Sequence, residues 1–275
     1  MTKREDNPMM KNVVKTTLTT LVNAVLTIDL NCDMGESFGV FNLGNDAALI
    51  PYITSANIAC GFHAGDPLVM DATVRLAVKH GVAVGAHPGF PDLQGFGRRN
   101  VELTPDEVEA FTLYQVSALA GFAKAAGTEL VHVKAHGALY NQAAKDRSLA
   151  AAIARGVARF SRGLVLVGLA GSLMVEMGEE SGLRTAAEGF MDRTYNPDGS
   201  LRSRKLSGAL IESPQECLIQ ALHLVRSGVA IIRDGTESIA KVDTLCIHGD
   251  NPQALPILQA LRKGLTLEGI AVSPL

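Results

Sequence analysis

The feature that most constrains the fold is a regular alternation of short apolar runs with longer amphipathic stretches. Each apolar run ends near an Asp, Asn, His or Gly residue, which is typical of a strand leading into a loop. The seven runs are Leu26–Asn31, Ala56–Gly61, Ala83–His87, Leu130–His136, Leu164–Gly168, Thr185–Phe190 and Val242–His248. Helical patterns lie between them, at 67–80, 105–126, 145–160, 172–181, 214–227 and 252–264. This alternation predicts a parallel sheet covered by helices.

The predicted helices carry their own start and stop signals. Two of them begin with a capping-box sequence and Pro at the first helical position, in Thr104-Pro-Asp-Glu107 and Ser213-Pro-Gln-Glu216. Glycines that can adopt the left-handed conformation of a helix cap follow four helical patterns, at Gly81, Gly127, Gly182 and Gly228. The helix ends are therefore predicted independently of the apolar pattern.

The length of the chain favours one large domain. Its 275 residues fall short of two average domains, and α/β barrels commonly run to about 250 residues undivided. We therefore expect an incomplete or distorted (β/α) barrel over residues 25–275, with an open doubly wound sheet as the alternative. A further strand is expected near Gly228–Ile232. Residues 1–24 are expected to form an N-terminal extension that is partly mobile.

Composition and charge exclude several classes of protein. With 47% apolar and 19% charged residues, the chain has the composition of a folded globular protein. Its net charge of −3 offers no broad cationic surface for nucleic acid or for an anionic membrane. The apolar segment 13–30 has the features of neither a signal peptide nor a membrane span, so we expect a cytoplasmic location. Four dispersed cysteines indicate reduced thiols, at Cys32, Cys60, Cys217 and Cys246.

Side chains that could perform chemistry collect at the ends of the predicted strands. In barrels and open parallel sheets alike, the carboxyl ends of the strands form the ligand-binding end. We place His132 on the opposite side of its strand from Lys134 and His136. A single histidine there is usually structural, but several imidazoles and carboxylates meeting at one end suit proton transfer. The set comprises Asp29, Asn31, Asp33, Glu36, His63, Asp66, His87, Asp92, Lys134, His136, Asn141, Glu188, Asp192, Arg193, His248 and Asp250.

Several common site motifs are missing from the sequence. It contains no GxxxxGK[ST] phosphate-binding loop, no GxGxxG opening a helix after the first strand, and no HExxH or GxSxG. Arg98, Arg193 and Arg204 are candidates for binding a carboxylate or phosphate through bidentate hydrogen bonds. The polar segment 190–210 is unusually long for a loop in a compact domain, and we expect it to be a lid or an interface.

Five ordered segments carry a family resemblance. They read IDLNCDMGESFG, SANIACGFHAGDP, GAHPGFPDLQGFGRR, VKAHGALYNQAA and CIHGDNP. From about Ile28 to the C-terminus the chain closely resembles the LamB/YcsF family. Two positions depart from the family pattern, because Ala135 stands where Pro is usual and Arg202-Ser203 where Val-Pro is usual. Neither change removes a titratable group.

The resemblance implies a fold and an activity. The fold would be an irregular seven-stranded (β/α) barrel of the glycoside hydrolase/deacetylase type. The activity would be ATP-dependent opening of the lactam of 5-oxoproline to L-glutamate, with ATP as co-substrate of a complex with partner subunits B and C. A lactam is a resonance-stabilised amide, so coupling to ATP makes its opening favourable. Residues 1–24 lie outside the resemblance.

For this activity we assign roles to the residues at the strand ends. Asp29 or Asp33 would be the general base for water, with His63 and His87 orienting or polarising the reacting groups. Lys134 and His136 would stabilise the developing oxyanion or protonate the ring nitrogen. Arg98 or Arg193 would hold the substrate carboxylate. The predicted substrate-binding residues are completed by Asn31, Glu36, Asn141 and His248.

The sequence leaves the role of a metal open. Asp33, His63 and His87 match a catalytic divalent-metal set with an open coordination position, and the same residues suit metal-free proton transfer. One alternative function is a stand-alone metal-dependent deacetylase or amidohydrolase, which predicts tightly bound zinc and no use of ATP. Another is a non-catalytic subunit that binds the substrate. Assembly as a homo-oligomer also stays open.

Overall fold

Seven parallel strands form the centre of the structure. The computed structural model describes residues 26–231, 237–239 and 241–275, so the predicted extension over residues 1–24 lies outside the described residues. The described strands are β1 (Thr27–Met34), β2 (Ser55–Ala59), β3 (Ala83–His87), β4 (Leu130–Lys134), β5 (Val165–Leu169), β6 (Arg184–Phe190), β7 (Val229–Ile231), β8 (Glu237–Ile239), β9 (Thr244–His248) and β10 (Ala271–Val272).

The strand pairing closes a barrel. Strands β1 to β6 follow one another in chain order, β9 pairs with β6, and β9 pairs again with β1. The irregular seven-stranded barrel predicted from the sequence is therefore confirmed. The further strand expected near Gly228–Ile232 is β7, which pairs antiparallel with β8 outside the barrel. Strand β10 adds to the start of β1.

Helices cover the outside of the barrel. In the described chain they are α1 (Asp46–Leu49), α2 (Pro67–His80), α3 (Pro105–Ala125), α4 (Gly137–Ala143), α5 (Arg147–Phe160), α6 (Leu173–Glu180), α7 (Pro214–Ser227) and α8 (Ala254–Leu267), with a 3-10 helix at Ile50–Tyr52. Thr104 forms the complete capping box with Glu107, and Ser213 Oγ accepts from the Glu216 N–H. None of the described helices combines the length and the apolar character needed to cross a membrane.

Alternation along β1 separates a polar interior from an apolar exterior. Leu30 and Cys32 belong to the main hydrophobic core, whereas Asp29, Asn31 and Asp33 make polar contacts across the barrel. On β5 and in the first half of β6, Val165, Val167 and Ala186 form a small apolar cluster against which Leu275 packs. Glu188, two residues further along β6 than Ala186, belongs to the polar network instead.

His132 lies inside the barrel, and its predicted placement away from Lys134 and His136 is wrong. Its Nε2 donates to Asn57 Oδ1 at 2.7 Å, and Lys134 reaches the same interior network. Residues two apart on one strand share a face, so period-two alternation places both side chains inward. Gly85 leaves room for the imidazole, because a Cβ at that position would overlap the ring.

Candidate active site

A cavity of about 640 Å³ opens at the carboxyl ends of the barrel strands. The strand-end residues that line it are Asp33, His87, Lys134, His136 and His248. The polar segment 190–210 lines the other side through Arg193, Asn196 and residues 200–206. This segment was expected to be a lid or an interface, and it forms one side of the cavity.

Basic side chains outnumber carboxylates in the lining of the cavity. Among the described lining residues, Asp33 is the single carboxylate beside seven basic side chains, Arg98, Lys134, Lys145, Arg193, Arg202, Arg204 and Lys205. Such a surface attracts anions and offers planar donors for a carboxylate or phosphate group. Asn141, another predicted substrate-binding residue, also lines the cavity and donates to the Gly137 carbonyl.

The three candidate arginines differ in how far they are already engaged. Arg98 Nη2 lies 2.6 Å from Asp250 Oδ2, and Arg204 Nη1 lies 3.9 Å from the same oxygen. Arg193 donates to the carbonyl of Arg202 at 2.6 Å and so ties the 190–210 segment together. Burial, with help from Arg204, lowers the pKa of Arg193 to about 10, which leaves it charged at neutral pH.

An ammonium group lies between two carboxylates at the centre of the barrel. Lys134 Nζ is 2.8 Å from Asp33 Oδ1, 2.9 Å from Glu188 Oε1 and 3.0 Å from Cys246 Sγ. Each of the two carboxylate side chains is no more than 6% exposed. Charges this deeply buried persist only when they are paired and hydrogen-bonded, so the network holds Asp33 and Lys134 in fixed positions.

The ion pairs set the protonation of this network. Burial alone would raise the pKa of Asp33, but His87 and Lys134 outweigh it and hold this pKa well below its usual value. Burial alone would lower the pKa of Lys134, but Asp33, Cys246 and Glu188 hold it well above its usual value. Asp33 and Lys134 are both ionised at neutral pH as a result.

Glu188 supports the network from the opposite strand. Its Oε1 accepts from Asn31 Nδ2 at 3.0 Å, and its Oε2 accepts from the Tyr140 hydroxyl at 2.7 Å. With Lys134 also bonded to Oε1, each carboxylate oxygen has a donor. The sequence places Glu188 at a strand end but gives no signal that it pairs with Lys134.

Asp29 and Asn31 lie deeper in the barrel than the cavity. Asp29 accepts from the hydroxyls of Thr54 and Ser55 at 2.7 Å each and from the hydroxyl of Thr244. Asn31 is 2% exposed and bonds Glu188 and its neighbours within the barrel. Neither residue lines the cavity. Of the two aspartates predicted as the general base, the geometry therefore favours Asp33.

Four buried side chains beside the cavity bring their donor atoms together. Glu36, His63, His87 and His136 each place one ligand atom within 4.8 Å of the others, and we call them the Glu–His cluster. The rings of His63 and His136 are stacked, with 3.7 Å between centroids. Asp33, which we predicted as a metal ligand with His63 and His87, places Oδ2 3.4 Å from His87 Nε2 and also belongs to a second possible ligand set with Cys246 and His248. Two sets of described residues in this region could therefore hold a metal ion, the Glu–His cluster and the set of Asp33, Cys246 and His248.

The loop after β3 positions His136. Its Nε2 lies 2.8 Å from the carbonyl oxygen of Phe96, whose φ of +54° is strained for a residue other than Gly. Gly97 donates to the carbonyl of Asp92 at 2.9 Å and accepts from the Ala138 N–H at 2.9 Å. The loop is thereby joined to the start of α4, and the Phe96 carbonyl is aimed at the imidazole.

His248 and Asp192 form a second acid–imidazole pair at the cavity. Nδ1 of His248 lies 3.0 Å from Asp192 Oδ2, and its ring stacks on Phe190 with 5.5 Å between centroids. Burial acts to raise the pKa of Asp192, but His248 and two arginines outweigh it and lower this pKa. The carboxylate fixes the orientation of the imidazole at the cavity, as in other acid–imidazole pairs.

Comparison with known proteins identifies the family of this chain. The LamB/YcsF family description matches residues 28–275. The chain belongs to the LamB/YcsF family. A Methylococcus capsulatus protein, named as the A subunit of 5-oxoprolinase, is 57% identical to this LamB/YcsF chain over 249 residues, covering 90% of the chain and 96% of the relative. A Pyrococcus furiosus protein of the same name is 52% identical over 250 residues, covering 91% and 98%.

A solved structure has the same fold as this LamB/YcsF protein. The crystal structure of a lactam utilization protein from Thermus thermophilus superposes with a TM-score of 0.86 at 47% sequence identity. The match covers 90% of this chain and all of that chain. The barrel described above is therefore also the fold of this lactam utilization protein over 90% of the chain.

Proposed function

We propose that the chain is the A component of an ATP-dependent 5-oxoprolinase, a hydrolase that opens a cyclic amide. The observation that carries the proposal is the composition of the cavity, in which Asp33, His87 and Lys134 face a group of arginines. Proton-transfer groups beside a cationic surface suit a substrate that carries both an amide and a carboxylate. The relatives named for 5-oxoprolinase and the lactam utilization protein support this choice of substrate.

The chemistry gives a reason for partner subunits. The lactam is stabilised by amide resonance, and transfer of a phosphoryl group from ATP to its oxygen makes the ring carbon electrophilic. The chain has no recognisable nucleotide-binding motif, so we assign this phosphorylation to partner subunits B and C in the cytoplasm. The relatives are named as one subunit of their enzyme, which supports assembly in a complex of several subunits.

The cavity would then open the activated ring. A water molecule adds to the ring carbon, the carbon–nitrogen bond breaks, and the nitrogen leaves as an amine after taking up a proton. A second water hydrolyses the resulting acyl phosphate, so that L-glutamate and phosphate are the products. We assign Asp33 to proton removal from water, and Lys134 and His136 to the developing oxyanion or the ring nitrogen. Arg98 or Arg193 binds the substrate carboxylate.

His63 and His87 have their predicted roles in the same proposal. We assign them to orienting or polarising the reacting groups. This assignment is supported by the position of His87 in the cavity lining and by the stacking of His63 on His136. Glu36, Asn141 and His248 remain assigned to substrate binding, with His248 oriented by Asp192. Asn31 is assigned a supporting position beneath the cavity rather than contact with substrate, since its amide bonds Glu188.

A stand-alone metal-dependent amidohydrolase is the second candidate function. The observation that favours it is the Glu–His cluster, whose donors suit a catalytic metal. This candidate predicts amide hydrolysis by the isolated chain without ATP and without other subunits.

Reconstitution distinguishes these functions. The measured quantities are 5-oxoproline-dependent ATP hydrolysis and glutamate formation, with subunits B and C in the presence or absence of this chain. We expect glutamate only when all three subunits are combined. Glutamate formation by B and C alone at the full rate would refute the proposal, and turnover by this chain alone would favour the second candidate. If variants of the cavity residues retained full rates, the chain would be a non-catalytic binding subunit.

A further inference from the structure

The orientation of two histidines in the Glu–His cluster determines where their protons are. His87 Nδ1 lies 2.7 Å from the carbonyl oxygen of Lys134, and His136 Nε2 lies 2.8 Å from that of Phe96. A carbonyl oxygen can only accept a hydrogen bond, so both of these ring nitrogens carry the proton. In neutral rings the remaining nitrogens, His87 Nε2 and His136 Nδ1, therefore present lone pairs.

These two lone pairs face each other. His87 Nε2 and His136 Nδ1 are only 3.0 Å apart, a distance that requires a proton or another positive centre between the two acceptors. Glu36 Oε1 adds a third acceptor atom, 3.5 Å from His136 Nδ1 and 3.8 Å from His63 Nε2. The four side chains of the cluster thus place possible ligand atoms within 4.8 Å of one another.

The remaining atoms of the cluster lack hydrogen-bond partners. Within the described part of the chain, Glu36 Oε1 and both ring nitrogens of His63 are buried without a donor or acceptor. Each such buried group costs about 1–3 kcal/mol when it is left unsatisfied. Natural proteins seldom retain several of them in one place unless a ligand satisfies them.

In the second possible ligand set of the barrel, a lysine of the chain itself provides the positive charge. Asp33 and Cys246 belong to a second set of potential ligands, and the ammonium of Lys134 lies 2.8 Å and 3.0 Å from them. Among the described residues, no Lys or Arg forms an ion pair with Glu36; its recorded partners are His63 and His136. Within the described residues, the Glu–His cluster therefore differs from its neighbour in having no Lys or Arg side chain paired with its carboxylate.

We propose that the Glu–His cluster binds one divalent transition-metal ion of the zinc type. Three imidazoles and one carboxylate suit such an ion, whereas Mg²⁺ and Ca²⁺ prefer sets made of oxygen ligands. Ligands at about 2.1 Å from a tetrahedral ion are roughly 3.4 Å apart. Three of the six separations in the cluster are 3.0, 3.5 and 3.8 Å, which bracket that value, and all four ligand atoms lie within 4.8 Å of one another.

The surroundings are those of a prepared metal site. Ligating histidines usually donate their other ring N–H to a carbonyl or carboxylate, which fixes the tautomer and the ring orientation. The carbonyls of Lys134 and Phe96 do this for His87 and His136. Both histidines line the cavity, so the ion would lie at its edge, where it could polarise a carbonyl or a bound water.

The test is a metal-binding measurement on the isolated full-length chain. The protein is stripped with a chelator, reloaded with Zn²⁺ or Co²⁺, dialysed, and its metal content is measured by mass spectrometry. We expect one equivalent of metal per chain and a Co²⁺ absorption spectrum of low-coordinate, nitrogen-rich type. Because neither ATP, 5-oxoproline nor a partner is present, the result does not depend on the proposed function.

Variants identify the site. His63→Ala and Glu36→Gln should weaken Zn²⁺ binding by more than the roughly 10- to 100-fold that loss of an outer hydrogen-bond partner costs. The matched control is His80→Ala, which removes an exposed imidazole at the end of α2 and should bind metal like the wild type. Circular dichroism of each variant shows whether it has folded.

Two results would overturn the proposal. One is a wild-type chain that retains less than stoichiometric metal and shows no Zn²⁺-dependent rise in melting temperature, which does not depend on any variant folding. The other is a ¹⁵N spectrum of the metal-free protein, unchanged by added Zn²⁺, in which His87 and His136 share a proton as an imidazole–imidazolium pair. A shared proton would then be the positive centre between the two rings.

Discussion

Lys134 and Asp33 form an ion pair inside the barrel, with 2.8 Å between Nζ and Oδ1, and both side chains are almost completely buried. Glu188 approaches the same ammonium from β6 at 2.9 Å. One cation thus neutralises two carboxylates that come from different strands. Removal of the Lys134 ammonium would leave two carboxylates buried without their cation. Such a change lowers the stability of the fold far more than replacement of all three charged side chains by apolar ones.

We therefore predict that Lys134→Met destabilises the protein by about 3–5 kcal/mol. The matched control is Lys145→Met, because Lys145 forms an ion pair with Asp198 at a similar distance of 2.9 Å but on the surface. Loss of that exposed pair should cost no more than about 1 kcal/mol. Urea unfolding of both variants measures the difference. Equal unfolding free energies would show that the buried ion pair contributes no more to stability than the exposed one.

The sequence was sufficient to predict the barrel but not all of its connections. Apolar runs and capping signals located the seven strands, and they located helices such as α2 and α7 to the residue. Helix α4 at Gly137–Ala143 was missed, because it is only two turns long and the pattern continues directly into the next helix. Asp146 is the N-cap that separates the two, accepting from the Ser148 and Leu149 N–H groups.

The candidate site was predicted in outline for a physical reason. Parallel strands bring their carboxyl ends to one side, so Asp33, His87 and His136 could be placed together from sequence alone. Depth along the barrel could not be predicted, because it depends on strand register. Asp29 and Asp33 share a face of β1, yet Asp29 pairs in register with Thr244 and Asp33 with His248, so that Asp33 lies two side-chain layers nearer the cavity.

Substitution of the two aspartates should separate their roles. Asp33→Asn is expected to lower kcat of the reconstituted complex by about 10²- to 10⁴-fold, since it removes the general base at the cavity. Asp29→Asn should lower stability but change kcat little, because Asp29 is bonded to hydroxyls beneath the cavity. Asp106→Asn, on the exposed first turn of α3, is the control. Equal losses of kcat at Asp29 and Asp33 would contradict the assignment.

Asp192 should make stability depend on pH in the acid range. Its folded pKa is lowered because His248, Arg193 and Arg204 outweigh the opposing effect of burial. A carboxylate with a lowered pKa stabilises the fold above its unfolded pKa of about 3.9, and this contribution is lost as the pH falls through the folded pKa.

Asp192→Asn is therefore expected to cost about 1–3 kcal/mol at neutral pH. The difference from the wild type should shrink as the pH falls below about 4, where the wild-type carboxyl also becomes neutral. Denaturant unfolding of both proteins across this pH range measures the effect. If the difference in unfolding free energy stayed constant with pH, Asp192 would stabilise the fold through packing and neutral hydrogen bonds rather than through its charge.

Gly97 should tolerate substitution less well than another glycine of similar backbone conformation. Gly97 and Gly127 have φ values of +61° and +77°, so Ala at either position costs about 1 kcal/mol of backbone strain. A Cβ at Gly97 would also lie 2.8 Å from His63 Cβ and 2.9 Å from His136 Cδ2, whereas a Cβ at Gly127 meets nothing within 4 Å.

We expect Gly97→Ala to cost about 1–3 kcal/mol more than Gly127→Ala, because the added methyl group forces the stacked rings of His63 and His136 apart. Thermal and urea unfolding of the two variants isolate this packing effect from the shared backbone strain. Gly97→Ala should also disturb metal retention by the Glu–His cluster, whereas Gly127→Ala should leave it unchanged. Equal stabilities of the two variants would show that the loop after β3 can move away from the histidines without cost, and that it does not hold His136 in place.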